Sequence, residues 1–169
     1  MIELLVVIAI LGILTVIGLG AYLSGQGKAR DARRKNDLKA ITSALEAYYN
    51  DANSYPLSSA GQIMVDGCNL GICSWGEEMK DSAGTTYMVQ LPADPKTGWD
   101  YCYVDQQNGQ TYLLFARIEN NQDSIIPQVG GENGYYPTAG LGCTQVVGAN
   151  YNYVVHSSNA TLPTPELET

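Results

Sequence analysis

The chain has 169 residues, of which 45% are hydrophobic and 15% charged, so its length suits one domain and its composition excludes disordered and collagen-like proteins. Its formal net charge of -8 argues against a protein that coats nucleic acid, and we predict no nucleic-acid partner. It has one histidine, His156, and no recognisable nucleophile motif, so the sequence predicts neither an enzyme nor a cofactor.

Charge is distributed unevenly along the chain. Residues 1–39 carry six basic and three acidic side chains, whereas residues 40–169 carry three basic and fourteen acidic ones. A basic N-terminal part is therefore joined to a strongly acidic remainder, and we predict two structurally distinct parts.

An uncharged stretch of 20 residues, 4–23, lies near the start of the chain. At about 1.5 Å per residue, a helix of this length spans the roughly 30 Å hydrocarbon core of a bilayer. A cleaved signal peptide is the alternative, but its apolar core usually has only about 7 to 15 residues and follows a basic start. We therefore predict a retained transmembrane helix within residues 1–27.

Glu3 stands at the edge of this stretch, where a carboxylate held in hydrocarbon needs a positive partner. One interpretation leaves Glu3 at the membrane surface, where the helix macrodipole favours a negative charge. The other pairs it with the amino terminus of another subunit. Gly12, Gly18 and Gly20 interrupt the aliphatic run, and such small residues allow neighbouring helices to approach closely.

The first residues, MIELLVVIAILGILTVIGLGAYL, resemble the N-terminal segment of type IV pilins and of the pseudopilins of type II secretion. In that family a prepilin peptidase cuts after a glycine, the new N-terminal residue is methylated, and a Thr-Leu-Ile-Glu-Leu-Leu run follows. The last four residues of that run match Ile2, Glu3, Leu4 and Leu5. The resemblance implies that Glu3 neutralises a neighbour's amino terminus during assembly.

The resemblance extends to two glycines and bears on the processing site. Gly12 matches the family's glycine, and Gly20 falls where many relatives carry a helix-breaking proline. Met1 stands where a leucine follows Phe-Thr in the family, so we expect the mature N-terminus to lie upstream. The family further implies a homo-oligomeric helical filament, unassembled subunits in the inner membrane, and an assembly machinery of prepilin peptidase, assembly ATPase and platform protein.

Residues 28–52 are predicted to continue the helix and to pack against the head. One apolar stripe recurs at spacings of 3, 4 and 3, formed by Leu38, Ile41, Leu45 and Tyr48. The helix is predicted to end at about Asp51, because Pro56 disfavours helical geometry at the residue before it.

The basic cluster of residues 28–39 alternates with acids and is predicted to form a solvated helix face. Two i,i+4 ion pairs are expected there, Asp31 with Lys35 and Arg33 with Asp37. The positive-inside rule alone would place this cluster in the cytoplasm, whereas the family orientation places the head outside. In a filament we expect the basic face to meet the acidic heads of other subunits.

Residues 53–158 predict a head of mixed structure. Strands are predicted at 101–104 and 111–118, joined by a turn that contains Asn108-Gly109, and a further strand at 151–156. We therefore predict an α+β, pilin-like fold, in which the long N-terminal helix packs against a small antiparallel sheet.

Three further segments have predicted roles, two within the head and one beyond it. Ser74 and Glu77 fit a capping box that would open a short helix through about Ser82. Residues 159–169 are predicted to form an exposed, extended tail. The segment LPADPKTGWDY, residues 91–101, is similar to the proline-rich loop before the sheet in major pseudopilins and some pilins.

Four cysteines, an even number in an apparently exported head, suggest two disulfides with three possible connectivities. They are Cys68, Cys73, Cys102 and Cys143. We favour Cys68 with Cys73 and Cys102 with Cys143, since the second bridge would close a loop rich in Gly, Asn and Gln. Zinc binding is the alternative, but Cys102 and Cys143 do not supply the second closely spaced pair of ligands that it would need.

No metal site is predicted elsewhere. The acids of residues 119–123 could hold calcium through oxygen ligands, as head loops of major pseudopilins do, but the run matches no ligand pattern and a polar loop is favoured. His156 is expected to be a strand residue facing solvent or a neighbour.

We expect a structural subunit of a type IV pilus, located at the cell surface and acting in adhesion, motility or DNA uptake. The alternative is a pseudopilin of a type II secretion system, which the LPADPKTGWDY segment supports. A second alternative is a membrane-anchored extracytoplasmic binding module.

Overall fold

One long helix precedes a head of short antiparallel strands. A computed structural model describes residues 2–138, 141–143 and 150–167, and at residues 16–21, 23 and 24 it describes the backbone alone. The elements are α1 (Ile2–Ala52), β1 (Leu57–Ser59), β2 (Gln62–Met64), a 3-10 turn (Asn69–Gly71), β3 (Ile72–Cys73), β4 (Met79–Lys80), β5 (Thr86–Met88), β6 (Cys102–Gln106), β7 (Thr111–Ala116), β8 (Gln128–Val129), β9 (Glu132–Tyr135), β10 (Tyr153–His156) and β11 (Glu166–Leu167).

Helix α1 has 51 residues and is therefore roughly 75 Å long. It ends where Asn53 adopts a left-handed conformation, with φ 54°, and its backbone N–H donates to the Tyr49 carbonyl at 2.8 Å. Pro56 follows three residues later, so the predicted end of the helix is confirmed within one residue.

The C-terminal half of α1 packs on the head through the predicted apolar stripe. Leu38, Ile41 and Leu45 are completely buried, and they form one core cluster with residues of the head sheet. The ring of Tyr48 makes an edge contact with Tyr87, 5.1 Å between centroids. Burial of these side chains stabilises the helix on the head by about 1.5 to 3 kcal/mol each.

The central sheet has the order β10-β7-β6 and is antiparallel throughout. Strand β7 lies in the middle and is buried along its whole length. The predicted hairpin between β6 and β7 is confirmed, and its turn holds Gln107, Asn108 and Gly109 at positive φ. A Cβ on Gly109 would lie 2.6 Å from the Tyr55 carbonyl oxygen, so the turn requires glycine where it meets the end of α1.

Three small sheets complete the head: β1-β2-β3, β4-β5 and β11-β9-β8. Strand β10 covers most of the strand predicted at residues 151–156, and Tyr151 forms a separate bridge with Tyr136. The tail is exposed at Glu166 and Leu167, as expected, but these residues also pair with β9, a contact that the sequence analysis did not predict.

The helix predicted from Ser74 is wrong. Gly76 has φ 94°, which an α-helix does not allow, and the backbone N–H of Glu77 donates to Ser74 in a closed turn at 3.0 Å. The Glu77 carbonyl then accepts from the Leu91 N–H at 2.6 Å, and β4 begins at Met79. Pairing with a distant segment therefore replaces the local helical hydrogen bonds.

In the described part of the chain, no helical stretch combines the length and the apolar character needed to cross a membrane. The predicted transmembrane stretch, residues 4–23, includes residues 16–21 and 23, whose side chains lie outside the described set.

Candidate assembly surface and its ion-pair anchor

The N-terminal half of α1 carries an apolar surface that the head does not bury. Ten aliphatic side chains between residues 2 and 14 are each 51% to 77% exposed. They are Ile2, Leu4, Leu5, Val6, Val7, Ile8, Ile10, Leu11, Ile13 and Leu14. We call these residues the apolar half-helix. A surface of this size and composition favours burial against another apolar surface.

Four of the predicted assembly residues, Glu3, Leu4, Leu5 and Gly12, lie within residues 2–14 of α1. Glu3 occupies the first turn of α1, where the macrodipole favours a negative charge. A Cβ on Gly12 would meet nothing within 4 Å, so Gly12 leaves a notch on the exposed surface. Gly18 and Gly20 belong to α1 but lie where only the backbone is described.

A buried arginine fixes α1 to the head. The side chain of Arg34 is completely buried, and its guanidinium donates to both carboxylate oxygens of Asp94, at 2.7 and 2.9 Å. It also donates to Asp31 at 2.8 Å and to Glu119 at 2.7 Å. One cation thus joins the helix to the proline-rich loop and to the segment after β7.

The segment that follows β7 is held by further contacts from the same face of α1. Asp31 accepts the backbone N–H groups of Glu119 and Asn120, both at 2.9 Å. Arg30 donates two hydrogen bonds of 2.7 Å to Glu119, and Lys35 contacts Asp123 at 2.6 Å. We call these residues, with Arg34 and Asp94, the anchor cluster.

The anchor cluster shifts the pKa values of its members in the directions expected for ion pairing. Hydrogen bonds from Arg30, together with those from Arg34, lower the pKa of Glu119 to about 2 although partial burial opposes the shift. Lys35 likewise lowers the pKa of Asp123. Burial lowers the pKa of Arg34, but the hydrogen bonds that it donates to Asp94, Glu119 and Asp31 outweigh this effect, so the net shift of the pKa is upward and Arg34 stays charged.

The prediction of a wholly solvated basic face is therefore wrong. Asp31 is 3% exposed and Arg34 is 0% exposed, because the acidic partners of this face lie in the chain's own head. Asp31 contacts Arg34 rather than Lys35, whereas the predicted pair of Arg33 and Asp37 is present at 3.7 Å.

The sequence contained a signal for the buried pair. Arg34 lies four residues before Leu38, and Asp31 three residues before Arg34, so both continue the 3 and 4 spacing of the apolar stripe. Their positions predict burial, and their charge then requires a partner from the head.

The acids of residues 119–123 contact basic side chains of α1 rather than forming a set of calcium ligands. Glu119 is engaged by Arg30 and Arg34, and Asp123 by Lys35. Over the described ranges, no three His, Cys, Asp or Glu side chains are grouped so that they could hold a metal ion.

Sequence analysis missed a second basic cluster, around Trp99. Three cationic groups lie close to the centroid of this ring: Lys96 at 3.9 Å, Arg117 at 4.5 Å and Arg34 at 4.8 Å. Trp99 belongs to the LPADPKTGWDY segment, which also contains Asp94, the ion-pair partner of Arg34. The same segment therefore provides a carboxylate for Arg34 and an aromatic ring for cation–π contacts.

The structure joins Cys68 to Cys73 and Cys102 to Cys143, the connectivity favoured from sequence, so the zinc alternative is wrong. The second bridge joins β6 to the segment that follows β9. His156 is exposed at the end of β10, as expected for a strand residue facing solvent.

A long N-terminal helix with an uncovered apolar half and a small antiparallel head defines the class of pilin-like proteins. Comparison with known proteins agrees. The chain is 34% identical to type II secretion system core protein G of Aeromonas hydrophila over 119 residues, which cover 70% of this chain and 76% of that protein. The chain therefore belongs to the type IV pilin and type II secretion pseudopilin family.

Two further relatives carry the same name. The core protein G of Pseudomonas aeruginosa is 32% identical over 95 residues, covering 56% of this chain and 64% of that protein. The Escherichia coli protein is 27% identical over 117 residues, covering 69% of this chain and 77% of that protein. No family model matches the chain, and no solved structure matches it.

Proposed function

We propose that the chain is the structural subunit of a type II secretion pseudopilus, a filament assembled through the apolar half-helix. The observation that carries the proposal is this exposed surface on a helix that runs without a break into the head. The relatives support secretion rather than the surface pilus first expected, since the proteins reported above are named type II secretion core proteins.

In this proposal the apolar half-helix resides in the cytoplasmic membrane before assembly and among other copies afterwards. Transfer of a large aliphatic side chain out of water contributes about 1.5 to 3 kcal/mol in either environment. Glu3 would pair with the amino terminus of a neighbouring copy, and Gly12, Gly18 and Gly20 would allow close helix approach. Assembly would require a prepilin peptidase, an ATPase and a platform protein, and the filament would lie in the periplasm.

A type IV pilin is the second candidate. The observation that favours it is the segment bounded by Cys102 and Cys143, which have a sequence separation of 41, a disulfide-bounded region that suits a pilin exposed at the cell surface. The two candidates differ in where the filament lies and in what its loss prevents.

Glu3→Ala in the native host tests the assembly proposal. The variant should remain membrane-associated but lose filaments, because a buried charge pair that sets the register of assembly would be missing. Filaments are counted by electron microscopy after raised expression, and secreted enzymes are assayed in the medium. Glu132→Ala, which removes an exposed acid of the head, is the matched control and should assemble normally.

The outcomes separate the candidates. Loss of extracellular enzymes together with filaments supports the pseudopilin. Loss of surface fibres with intact enzyme secretion supports the type IV pilin. Normal filaments in Glu3→Ala would contradict the proposed role of Glu3 in assembly, whereas a native chain that forms no filaments would leave the membrane-anchored module.

A further inference from the structure

A polar cleft of about 360 Å³ opens beside the anchor cluster. Trp99 of the proline-rich loop, Arg117 after β7 and Tyr135 of β9 contribute to its wall. Four asparagines also line it: Asn121, Asn133, Asn150 and Asn152. Residues from four separate segments therefore converge on one concave site.

The cleft concentrates positive charge in an otherwise acidic head. Residues 40–169 contain three basic side chains, and two of them, Lys96 and Arg117, line this cleft and lie on the Trp99 ring. With Arg34 beside the same ring, three cations lie within 4.8 Å of its centroid. The ring faces are thus used for cations, which argues against a sugar stacked on Trp99.

Arg117 differs from the other cations near the ring. Arg34 contacts Asp94 and Asp31, and Lys96 lies 3.7 Å from Glu119. Among the described residues, no carboxylate forms an ion pair with Arg117, whose guanidinium lies 4.5 Å from the centroid of the Trp99 ring. The cleft therefore contains a cation without an ion-pair partner in the described structure, held in place by an aromatic ring.

Neutral donors accompany this cation. The hydroxyl of Tyr135 and the side-chain amide of Asn121 form no hydrogen bond within the described ranges, although both line the cleft. The amide of Asn152, in contrast, both donates to and accepts from the Ile118 backbone. A ligand that accepts hydrogen bonds would satisfy Arg117, Tyr135 and Asn121 together.

We propose that this cleft binds a carboxylate group, to which the Arg117 guanidinium donates two parallel hydrogen bonds. A planar carboxylate matches the fork of an arginine, and the Trp99 ring holds that fork in position. Glu119 lines the same cleft and repels additional negative charge, which favours a carboxylate over doubly charged phosphate. The carboxylate would come either from a free small acid or from an acidic side chain of a protein segment. The inference does not rest on the proposed secretion function.

Titration of the full chain in nonionic detergent tests the proposal. Succinate represents the free acid, N-acetyl-glutamyl amide represents the acidic side chain, and inorganic phosphate is the competing anion. The readouts are the NMR shifts of the Arg117 Nε–H and the Trp99 indole N–H. We expect saturable shifts with one or both carboxylates, weakened by salt. The tighter carboxylate identifies the source. No saturable shift, or tighter binding of phosphate than of either carboxylate, would overturn the proposal.

Variants make the test specific to Arg117. Arg117→Gln should weaken carboxylate binding by roughly ten- to hundred-fold, the range expected for loss of a charged hydrogen-bonding partner. Arg117→Lys keeps the positive charge but not the planar guanidinium, so it should weaken carboxylate binding less than Arg117→Gln does. Arg33→Gln removes an exposed arginine of α1 and should bind as the native chain does. Equal binding by Arg117→Gln and the native chain would reject the site, and near-UV circular dichroism verifies that each variant is folded.

Discussion

Arg34 is the side chain on which the orientation of α1 relative to the head depends. Its burial is complete, so its charge is stabilised by Asp31, Asp94 and Glu119 rather than by water. A buried ion pair adds little net stability compared with a well-packed apolar core, but removing one partner leaves the other charges buried without compensation. Because its partners come from three segments, Arg34 also specifies how those segments meet.

We predict that Arg34→Met reduces the free energy of unfolding by about 3 to 5 kcal/mol, because Asp31 and Asp94 remain buried without their cation. Urea unfolding of the full chain in detergent measures the change. Arg33→Met is the matched control, since Arg33 is one residue away and its side chain is 62% exposed. It should change the free energy by no more than about 0.5 kcal/mol. Similar losses in both variants would show that the buried cluster has no special role.

At the scale of elements, the head depends on cross-links because its strands are short. Of the four sheets in the described part of the head, three consist of strands of two to four residues, which bury little apolar area by themselves. Cys102–Cys143 joins the central sheet to the segment after β9, whereas Cys68–Cys73 closes a turn beside β3. The two bridges therefore constrain the unfolded chain to different degrees.

We predict that replacing Cys102 and Cys143 together by Ala costs about 4 kcal/mol, and that the same change at Cys68 and Cys73 costs about 2 kcal/mol. The chain-entropy model gives this order because the two loops span 41 and 5 residues. Denaturant unfolding of the two double variants measures both losses, and each serves as the other's control. An equal or reversed order would show that local packing, rather than loop closure, decides the effect.

Elements encoded by local pattern could be predicted, and those set by distant partners could not. The apolar stripe predicted the packed half of α1, and Asn108-Gly109 predicted the hairpin, because each pattern is encoded within a short stretch of sequence. The turn at Gly76 was missed because pairing with Leu91 overrides the capping-box pattern. The partner of Arg34, Asp94, lies 60 residues further along the chain, and nothing in the local sequence indicates it.

At the scale of the whole molecule, the chain combines a head with its own core and a helix whose described N-terminal side chains stay outside that core. Among the described side chains of α1, the first buried one is Asp31, whereas the aliphatic side chains of residues 2–14 are exposed. The anchor cluster holds the helix at the point where these two parts meet. The head is thereby fixed on a helix whose residues 2–14 keep their aliphatic side chains exposed, which is the surface that the proposed assembly would use.

We predict that a variant beginning at Gln26 folds as a monomer without detergent, whereas the full chain requires detergent or assembles. The deletion removes the apolar half-helix and leaves the anchor cluster and both disulfides intact. Its free energy of unfolding should therefore stay within about 0.5 kcal/mol of that of the full chain in detergent. Light scattering coupled to gel filtration gives the mass, and urea unfolding gives the stability. A shortened chain that aggregates, or that loses several kcal/mol, would show that the half-helix supports the head.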